Sequence, residues 1–335
     1  MTKRWRLGVD LRCLPADGSA GAGIAHATRA LVEHMERTSA EQGIEVCGLR
    51  AANGFSMRRL IHQKACHAVF VPSGAISPWM DGIVFPWVHD LDIFDHPGWF
   101  PQGRVQRFMT TRLFLWGLRR SRMVFCVSQY TKRAIMRIAG IPSDRILVTG
   151  EGVVPHTSNA STFSAYALLL GTIEPRKNIP FILALWPEVC RRLGRTVTLV
   201  VAGEDGWGHV RVDESLPWLK RLRNVSDEEA SALMEEATCV LVPSFSEGFG
   251  RVALEGMAHG RPVLASDRGA LPEVIDRAGA LLDPLDAESW TQWIVRMFDD
   301  ERARLQFSTR GKERAGRFQW NEVACLILEQ MKASC

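Results

Sequence analysis

The chain has 335 residues and a formal net charge of +4, with 46% hydrophobic and 23% charged residues. At roughly 150 residues per domain this length predicts two domains, and the composition excludes a disordered or collagen-like protein. The sequence contains no run of about 18 uninterrupted apolar residues, which a membrane span would need. Its first residues lack the apolar core of a secretory signal, so we expect a cytoplasmic protein.

Short apolar runs alternate with helical patterns along the whole chain, as in parallel sheets wrapped by helices. In the first half, strands are predicted near 7–13, 68–71, 83–88, 123–127 and 146–148, and helices near 23–36, 102–120 and 129–139. The sequence therefore predicts an α/β domain before residue 157.

Candidate ligand residues follow two of these strands. Gly18, Gly21 and Gly23 come after the first strand, where glycines let backbone approach a ligand, although no complete dinucleotide fingerprint is present. His89 ends the strand near 83–88. The pattern Asp90-Leu91-Asp92 resembles a metal-binding D-x-D, but a structural role is favoured and no metal site is predicted.

The first half is basic, with 20 Lys and Arg against 12 Asp and Glu in residues 1–158, and ten against one in residues 101–150. The helix near 102–120 carries much of this charge, and four of its arginines are candidates for a membrane or acceptor surface: Arg104, Arg107, Arg119 and Arg120. A solvated helix face is the alternative. Nucleic acid is disfavoured because no recognition motif accompanies the charge.

The apolar residues of this helix form two arcs at about 100° per residue. The larger arc, predicted to pack on the core, contains Val105, Phe108, Met109, Leu113 and Trp116. Phe114 and Leu118 fall opposite, beside Arg107. Apolar side chains among arginines suit an anionic membrane surface.

A second α/β cycle begins after a polar, proline-containing junction at 154–164. Strands are predicted near 166–170, 197–201, 240–242, 263–265 and 280–282. Ser226-Asp227-Glu228-Glu229 is a capping box that begins a helix running to about Ala237. Another helix covers about 250–259 and ends at Gly260.

Two loops of this second domain carry candidate chemistry. The segment 171–178, Gly-Thr-Ile-Glu-Pro-Arg-Lys-Asn, follows a strand, so its cations lie where α/β proteins bind ligands. The segment 243–250, Pro-Ser-Phe-Ser-Glu-Gly-Phe-Gly, precedes a helix whose amino end favours phosphate. Glu247 and Glu255 are separated by roughly 10 Å along that helix, which is the scale of a nucleotide sugar.

These two motifs, with the Glu247/Glu255 pair spaced E-x7-E, resemble glycosyltransferase family 4. The resemblance covers most of residues 165–275 and is looser in the first half. It implies the retaining GT-B fold, in which two Rossmann-like doubly wound parallel-sheet domains face a central cleft. The implied domains are an acceptor-binding domain at 1–157, a nucleotide-sugar domain at 158–319, and a helix at 320–335 that packs back on the first.

The resemblance also implies roles for site residues. Arg176 and Lys177 would neutralise the leaving diphosphate, Glu247 would contact the donor sugar, and Glu255 the ribose. His89 would approach the donor sugar from the first domain. Other donor contacts are implied at Gly21, Gly23, Gly171, Val225, Gly248, Phe249, Gly250 and Arg251. Arg251 stands where the family usually has an apolar residue and would add a cation for phosphate.

The resemblance implies metal-independent transfer without a cofactor, the nucleotide sugar being a co-substrate. GDP-mannose is the favoured donor and a UDP-sugar the alternative. The expected acceptor is a polysaccharide or lipid-linked glycan, which would bring this cytoplasmic enzyme to the inner face of the cell membrane as a peripheral protein. Alternatives are a nucleotide-sugar hydrolase or epimerase of the same fold and a catalytically silent sugar-nucleotide-binding protein. An oxidoreductase is disfavoured because G-x-G-x-x-G is missing.

Overall fold

The structure is a computed structural model that describes residues 5–15, 23–156, 163–208 and 210–335. The chain divides into two compact units. The first comprises Met1–Asp95, Gln102–Gly152 and Gln319–Cys335, and the second comprises His96–Pro101 and Val153–Phe318. The change of unit at Gly152 lies five residues before the predicted boundary, and a short piece at 96–101 belongs to the second unit.

The first unit is built on a six-stranded parallel sheet in the order β2-β1-β3-β4-β5-β6. Its elements before the change of unit are β1 (Trp5–Asp10), α1 (Gly23–Ser39), β2 (Ile44–Leu49), α2 (Gly54–Gln63), β3 (Ala68–Val71), β4 (Ile83–Val88), α3 (Asp92–Asp95), α4 (Arg104–Arg120), β5 (Val124–Cys126), α5 (Gln129–Ala139) and β6 (Ile146–Val148).

The second unit holds another six-stranded parallel sheet, in the order β12-β11-β10-β7-β8-β9. Its elements are β7 (Tyr166–Leu170), α6 (Ile179–Leu193), β8 (Thr198–Ala202), β9 (Leu219–Leu222), α7 (Asp227–Glu236), β10 (Cys239–Val242), α8 (Arg251–Ala258), β11 (Val263–Ser266), α9 (Leu271–Ile275), β12 (Ala280–Leu282), α10 (Ala287–Asp299) and α11 (Glu301–Ala315). The last helix, α12 (Trp320–Ala333), belongs to the first unit, where it packs on α1.

The predicted pair of doubly wound α/β domains is therefore confirmed. The capping box at Ser226 forms as predicted, with Ser226 Oγ accepting from Glu229 N and the Glu229 side chain accepting from Ser226 N. Two strands were not predicted from the sequence: β2 and β9, each at one edge of its sheet. An edge strand is half-exposed and tolerates polar residues, as in the Leu-Lys-Arg-Leu of β9, so its apolar pattern is weak.

The predicted packing of α4 is wrong: the larger apolar arc faces outward. Leu118 is fully buried and Phe114 packs beside it in a cluster with β5 and α5, whereas Val105 is 78% exposed. Burying the larger arc would also have desolvated Arg112 and Arg119, which lie within it. The opposite side offers Gly117, which fits so closely against Ile76 that a Cβ would come within 2.9 Å.

Among the described residues, no helix combines the length and apolar character needed to cross a bilayer.

Candidate active site

The two motif loops of the second unit follow the neighbouring strands β7 and β10, between which the order of strand addition reverses. From β7 the chain adds β8 and β9 on one side, then crosses to place β10 on the other. Loops at such a switch point diverge and leave a crevice at the carboxyl ends of the strands. A small pocket opens here, lined by Gly171, Thr172, Lys177, Val242, Ser244 and Val252 among others.

The loops are joined directly by backbone: Phe245 N donates to the carbonyl of Arg176 at 2.8 Å. Two glycines keep the second loop in place. Gly250, the N-cap of α8, has φ 101°, and a Cβ there would come within 2.7 Å of Leu271 Cδ2. A Cβ on Gly269 would come within 2.6 Å of Glu247 N. Neither position therefore has space for a larger residue, because Leu271 fills it at Gly250 and the backbone of Glu247 fills it at Gly269.

A compact charge cluster forms where the loops meet. Glu247 accepts from Arg176 Nη1 at 2.7 Å, from Lys177 Nζ at 2.7 Å and from Ser244 Oγ at 2.8 Å. Arg176 also donates to the carboxylate of Glu174, at 2.6 and 3.0 Å. Burial by itself would raise the pKa of Glu247, but the charges of Arg176 and Lys177 outweigh it and lower that pKa to about 2. Glu247 is therefore a carboxylate at neutral pH.

This cluster is balanced in charge, since two cations face two carboxylates. Arg176 and Lys177 were expected to bind a phosphate and Glu247 a sugar, and the contacts among these three side chains were not predicted from the sequence. No role was predicted for Glu174 or Ser244, although both stand inside the motif loops. An anion that enters must take over hydrogen bonds that Glu247 now receives.

The second carboxylate of the pair is held separately. Arg251 Nη2 donates to Glu255 Oε1 at 2.6 Å, one turn along α8, and both side chains are partly buried. The cation expected for phosphate thus binds the carboxylate expected for ribose. Phe249 is buried against Phe318, with ring centroids 5.9 Å apart, so its side chain has a packing role.

Of the other predicted donor contacts of this unit, Gly171 and Gly248 lie in the motif loops and Val225 lies outside them. Gly171 has φ 120° directly after β7, and Gly248 is buried in the second loop. Val225 precedes the first turn of α7 and packs on a core cluster that contains Leu168 and Met234.

His89 lies in the first unit, directly after β4. Its Nε2 lies 3.0 Å from the carbonyl of Pro72 and its Nδ1 lies 3.2 Å from Glu151 Oε1, so both ring nitrogens face oxygen atoms. Glu151 is almost completely buried. Thr131 donates to the carbonyl of His89 at 3.0 Å. These contacts fix the ring. Glu151 was missed because it is 62 residues away; its place just after β6, between two glycines, was the available signal.

The remaining predictions concern the first unit. Gly18 and Gly21 lie outside the described residues. Gly23 is the first residue of α1, and no described atom beyond its own backbone and chain neighbours lies within 4 Å of the place where a Cβ would stand. Asp90 Oδ1 accepts from Asp92 N at 3.2 Å, a local turn. The described part of the chain contains no group of three or more His, Cys, Asp or Glu side chains arranged to bind a metal ion.

The four arginines proposed for a membrane or acceptor surface divide into two kinds. Arg104 is exposed and Arg107 half-buried. Arg119 Nε donates to the carbonyl of Ala139 at 3.0 Å, and Arg120 Nη2 donates to the carbonyl of Met80 at 2.5 Å. The last two arginines therefore also hold α4 in place.

Comparison with known proteins places the site in context. Residues 164–300 match the family model described as glycosyl transferases group 1. The chain is 31% identical over 263 residues to O-antigen chain mannosyltransferase B of Escherichia coli, across 73% of this chain and 68% of that protein. It is 28% identical to phosphatidyl-myo-inositol mannosyltransferase of Mycolicibacterium smegmatis, across 60% of this chain and 55% of that protein.

Solved structures share the fold. Anabaena HepE in complex with UDP superposes with a TM-score of 0.73 at 17% identity, covering 98% of this chain and all of that one. Sucrose-phosphate synthase of Thermosynechococcus elongatus gives 0.74 at 17% identity, covering 99% and 100%. At this identity the likeness shows the fold, and the predicted GT-B architecture is confirmed.

Proposed function

The chain belongs to the glycosyl transferases group 1 family and is a glycosyltransferase of glycan biosynthesis; on that premise we propose that it transfers mannose from GDP-mannose with retention of anomeric configuration. The observation that carries the proposal is the cluster of Arg176, Lys177 and Glu247 at the switch point of the second sheet. The choice of mannose is supported by the mannosyltransferases among the relatives.

The cluster suits a reaction in which a diphosphate leaves. When the bond between the anomeric carbon and the phosphate oxygen breaks, its electron pair goes to the diphosphate, and Arg176 and Lys177 stabilise the charge that grows there. The acceptor hydroxyl attacks the same face of the sugar and passes its proton to a phosphate oxygen. In this scheme no protein nucleophile is required.

Glu247 would act by exchange. Once the diphosphate binds Arg176 and Lys177, the carboxylate of Glu247 is released to accept hydrogen bonds from sugar hydroxyls. Glu255, positioned by Arg251, would accept from the ribose hydroxyls. The balanced charge of the donor-free cluster supports this order of events, because before the donor binds each of the two partly buried cations is paired with a carboxylate.

We propose that the reaction needs no divalent metal, since Arg176 and Lys177 supply the positive charge that a metal would supply to the diphosphate. Transfer should then continue at an unchanged rate after dialysis against EDTA. A rate that collapses with EDTA and returns with Mg²⁺ or Mn²⁺ would contradict the proposal.

The donor is tested by thermal shift with GDP-mannose, GDP-glucose, UDP-glucose and ADP-glucose, because a ligand that binds the native state raises the melting temperature. The largest rise is expected with GDP-mannose. A UDP-sugar is the second candidate, favoured by the fold likeness to Anabaena HepE in complex with UDP, and a larger rise with UDP-glucose would select it.

Hydrolase, epimerase and silent-binding alternatives are separated by product analysis. With the donor alone, a transferase should release little free sugar, whereas a hydrolase releases it without an acceptor and an epimerase converts the donor. With a lipid or cell-envelope extract added, labelled mannose should enter an acceptor. If donor binds but no product forms with any extract, a silent binding protein is indicated.

The acceptor is proposed to be a growing polysaccharide or a lipid-linked glycan, met at the inner face of the cell membrane. The support is α4, which carries five arginines and no acidic residue. A membrane location would bring the enzyme to an acceptor that cannot diffuse into solution.

A further inference from the structure

The outer face of α4 is apolar and exposed. Val105 is 78% exposed and Phe108 57%, and three further side chains of the same arc are at least 43% exposed: Met109, Leu113 and Trp116. Thirteen large hydrophobic side chains are exposed in the part of the chain that the structure describes, and α4 carries five of them. A contiguous patch of this kind marks an interaction surface.

Arginines lie within the same half of the helix. Arg112 places its guanidinium 5.1 Å from the ring centre of Phe108, and Arg120 lies 4.8 Å from the ring centre of Trp116. Arg104 begins the same face and is exposed. An apolar protein partner would have to desolvate these cations at a cost. A suitable partner must bury the apolar side chains in a nonpolar environment and also carry negative charge for the arginines. An anionic bilayer provides both.

The face is presented on a fixed helix. Its inner side is held by Phe114 and Leu118 in the core, and its carboxyl end by Arg120, which donates to the carbonyl of Met80. Next to Met80, Trp79 is 57% exposed and packs against Gly54, and Phe55 is 69% exposed. Two aromatic side chains therefore extend the apolar surface beyond the end of α4.

We propose that α4, together with Trp79 and Phe55, docks on an anionic lipid bilayer. The apolar side chains enter the boundary between headgroups and acyl chains, while Arg104 and Arg112 bind lipid phosphates. This inference rests on the membrane location in the proposed function and names the surface that produces it. Lipid binding is measured without donor or acceptor, so its failure is distinguishable from a failure of glycosyl transfer.

The test is co-sedimentation of the full chain with vesicles of phosphatidylcholine alone and of phosphatidylcholine and phosphatidylglycerol in equal parts. The wild type should bind the anionic vesicles and lose that binding at high salt. The double variant Phe108→Ser/Trp116→Ser should bind them at least about tenfold more weakly. Arg104→Gln and Arg112→Gln should each weaken binding about fivefold.

Matched controls come from exposed residues of the second unit. Leu285, 69% exposed, is replaced by Ser, and the exposed Arg310 by Gln; both variants should bind vesicles as the wild type does. All substituted side chains are exposed, so thermal unfolding should be unchanged, and it is measured for each.

Three results would overturn the proposal: no binding to anionic vesicles, equal binding to neutral and anionic vesicles, or full binding by the Phe108/Trp116 variant. Light scattering adds another. If the wild type is a dimer that the double variant converts to a monomer, with no lipid binding by either, the face is an interface between two copies of the chain.

Discussion

Glu247 Oε1 lies 2.7 Å from Nζ of Lys177, a residue 70 positions earlier in the chain. With Arg176 on the other carboxylate oxygen, Glu247 is bound by both cations that the proposed mechanism gives to the diphosphate. On the proposed mechanism, donor binding would exchange hydrogen-bond partners within a cluster whose charge is already balanced.

Lys177→Ala and Glu255→Ala should each lower turnover at least about 100-fold, the scale of losing a preorganised charge contact. The fold should be retained, because Glu247 keeps Arg176 as a partner when Lys177 is lost. Initial rates of sugar transfer and circular dichroism check both points. The exposed Lys220 on β9 provides the control variant Lys220→Ala, and wild-type rates in the site variants would refute the assignments.

Glu247→Gln should bind the nucleoside diphosphate product more tightly than the wild type while transferring sugar more slowly. Removing the negative charge leaves two cations facing one remaining carboxylate, Glu174, so an anion no longer competes with Glu247. We expect about a tenfold gain in affinity for GDP, equivalent to about 1.4 kcal/mol. Titration calorimetry measures it.

The exposed Glu313 on α11 gives the matched control for this prediction, Glu313→Gln, which should leave GDP affinity unchanged. Unchanged or weaker GDP binding by Glu247→Gln would mean that Glu247 does not compete with the diphosphate.

Arg251→Leu should raise the donor KM about tenfold with a smaller change in kcat, because Glu255 loses the guanidinium that orients it, a contact of about 1.4 kcal/mol. Arg251→Lys should recover part of the loss. In a double-mutant cycle with Glu255→Gln the two effects should not add. If Arg251 instead binds phosphate directly, Arg251→Leu would weaken the binding of GDP but not of guanosine. The effects of the Arg251 and Glu255 substitutions would then add.

The ring pair His156 and His259 predicts a pH-dependent stability. The rings stack with centroids 3.6 Å apart. Burial, followed by the neighbouring His156, lowers the pKa of His259 from 6.5 to about 4, and burial likewise lowers the pKa of His156. As the pH falls, the histidines of the unfolded chain take up protons before those of the folded chain. The contribution of the neutral pair to the free energy of unfolding is therefore complete above about pH 6.5 and is lost as the pH falls toward 4.

The urea concentration at the unfolding midpoint of the wild type should therefore fall as the pH is lowered from 6.5 to 5. Most carboxylates titrate below this range. The variant His156→Asn/His259→Asn should have a flatter profile over that range, whatever its absolute stability. An identical slope in wild type and variant would contradict the prediction.

Gly250→Ala should destabilise the protein by about 1–3 kcal/mol, because residue 250 has φ 101° and the new Cβ would meet Leu271 at 2.7 Å. The strain lies directly behind Glu247, so kcat should fall as well. Gly98→Ala, at a position with open space and without a positive φ, is the control and should unfold as the wild type does. Equal unfolding midpoints for the two variants would show that the loop relaxes without cost.

Local patterns predicted most of the fold and the positions of the two motif loops. Strands such as Ile83–Val88 and Tyr166–Leu170 lie at their predicted bounds, because a buried parallel strand needs a continuous apolar run. The motif loops follow strands, as predicted, since glycines and polar residues after an apolar run end it wherever the rest of the chain lies. These features depend on neighbours in sequence and are legible there.

The tertiary structure alone decided which partners those residues take. On α4 both arcs are apolar, and the buried one was chosen by the cost of desolvating Arg112 and by the close fit of Gly117 against Ile76. The charge cluster depends in the same way on contacts between distant positions, because Glu247 is about 70 residues from its two cations. The sequence pattern predicts which side chains need a packing or hydrogen-bond partner. Which residue becomes that partner is determined only by packing in three dimensions, where the cost of desolvation is weighed against the closeness of the fit.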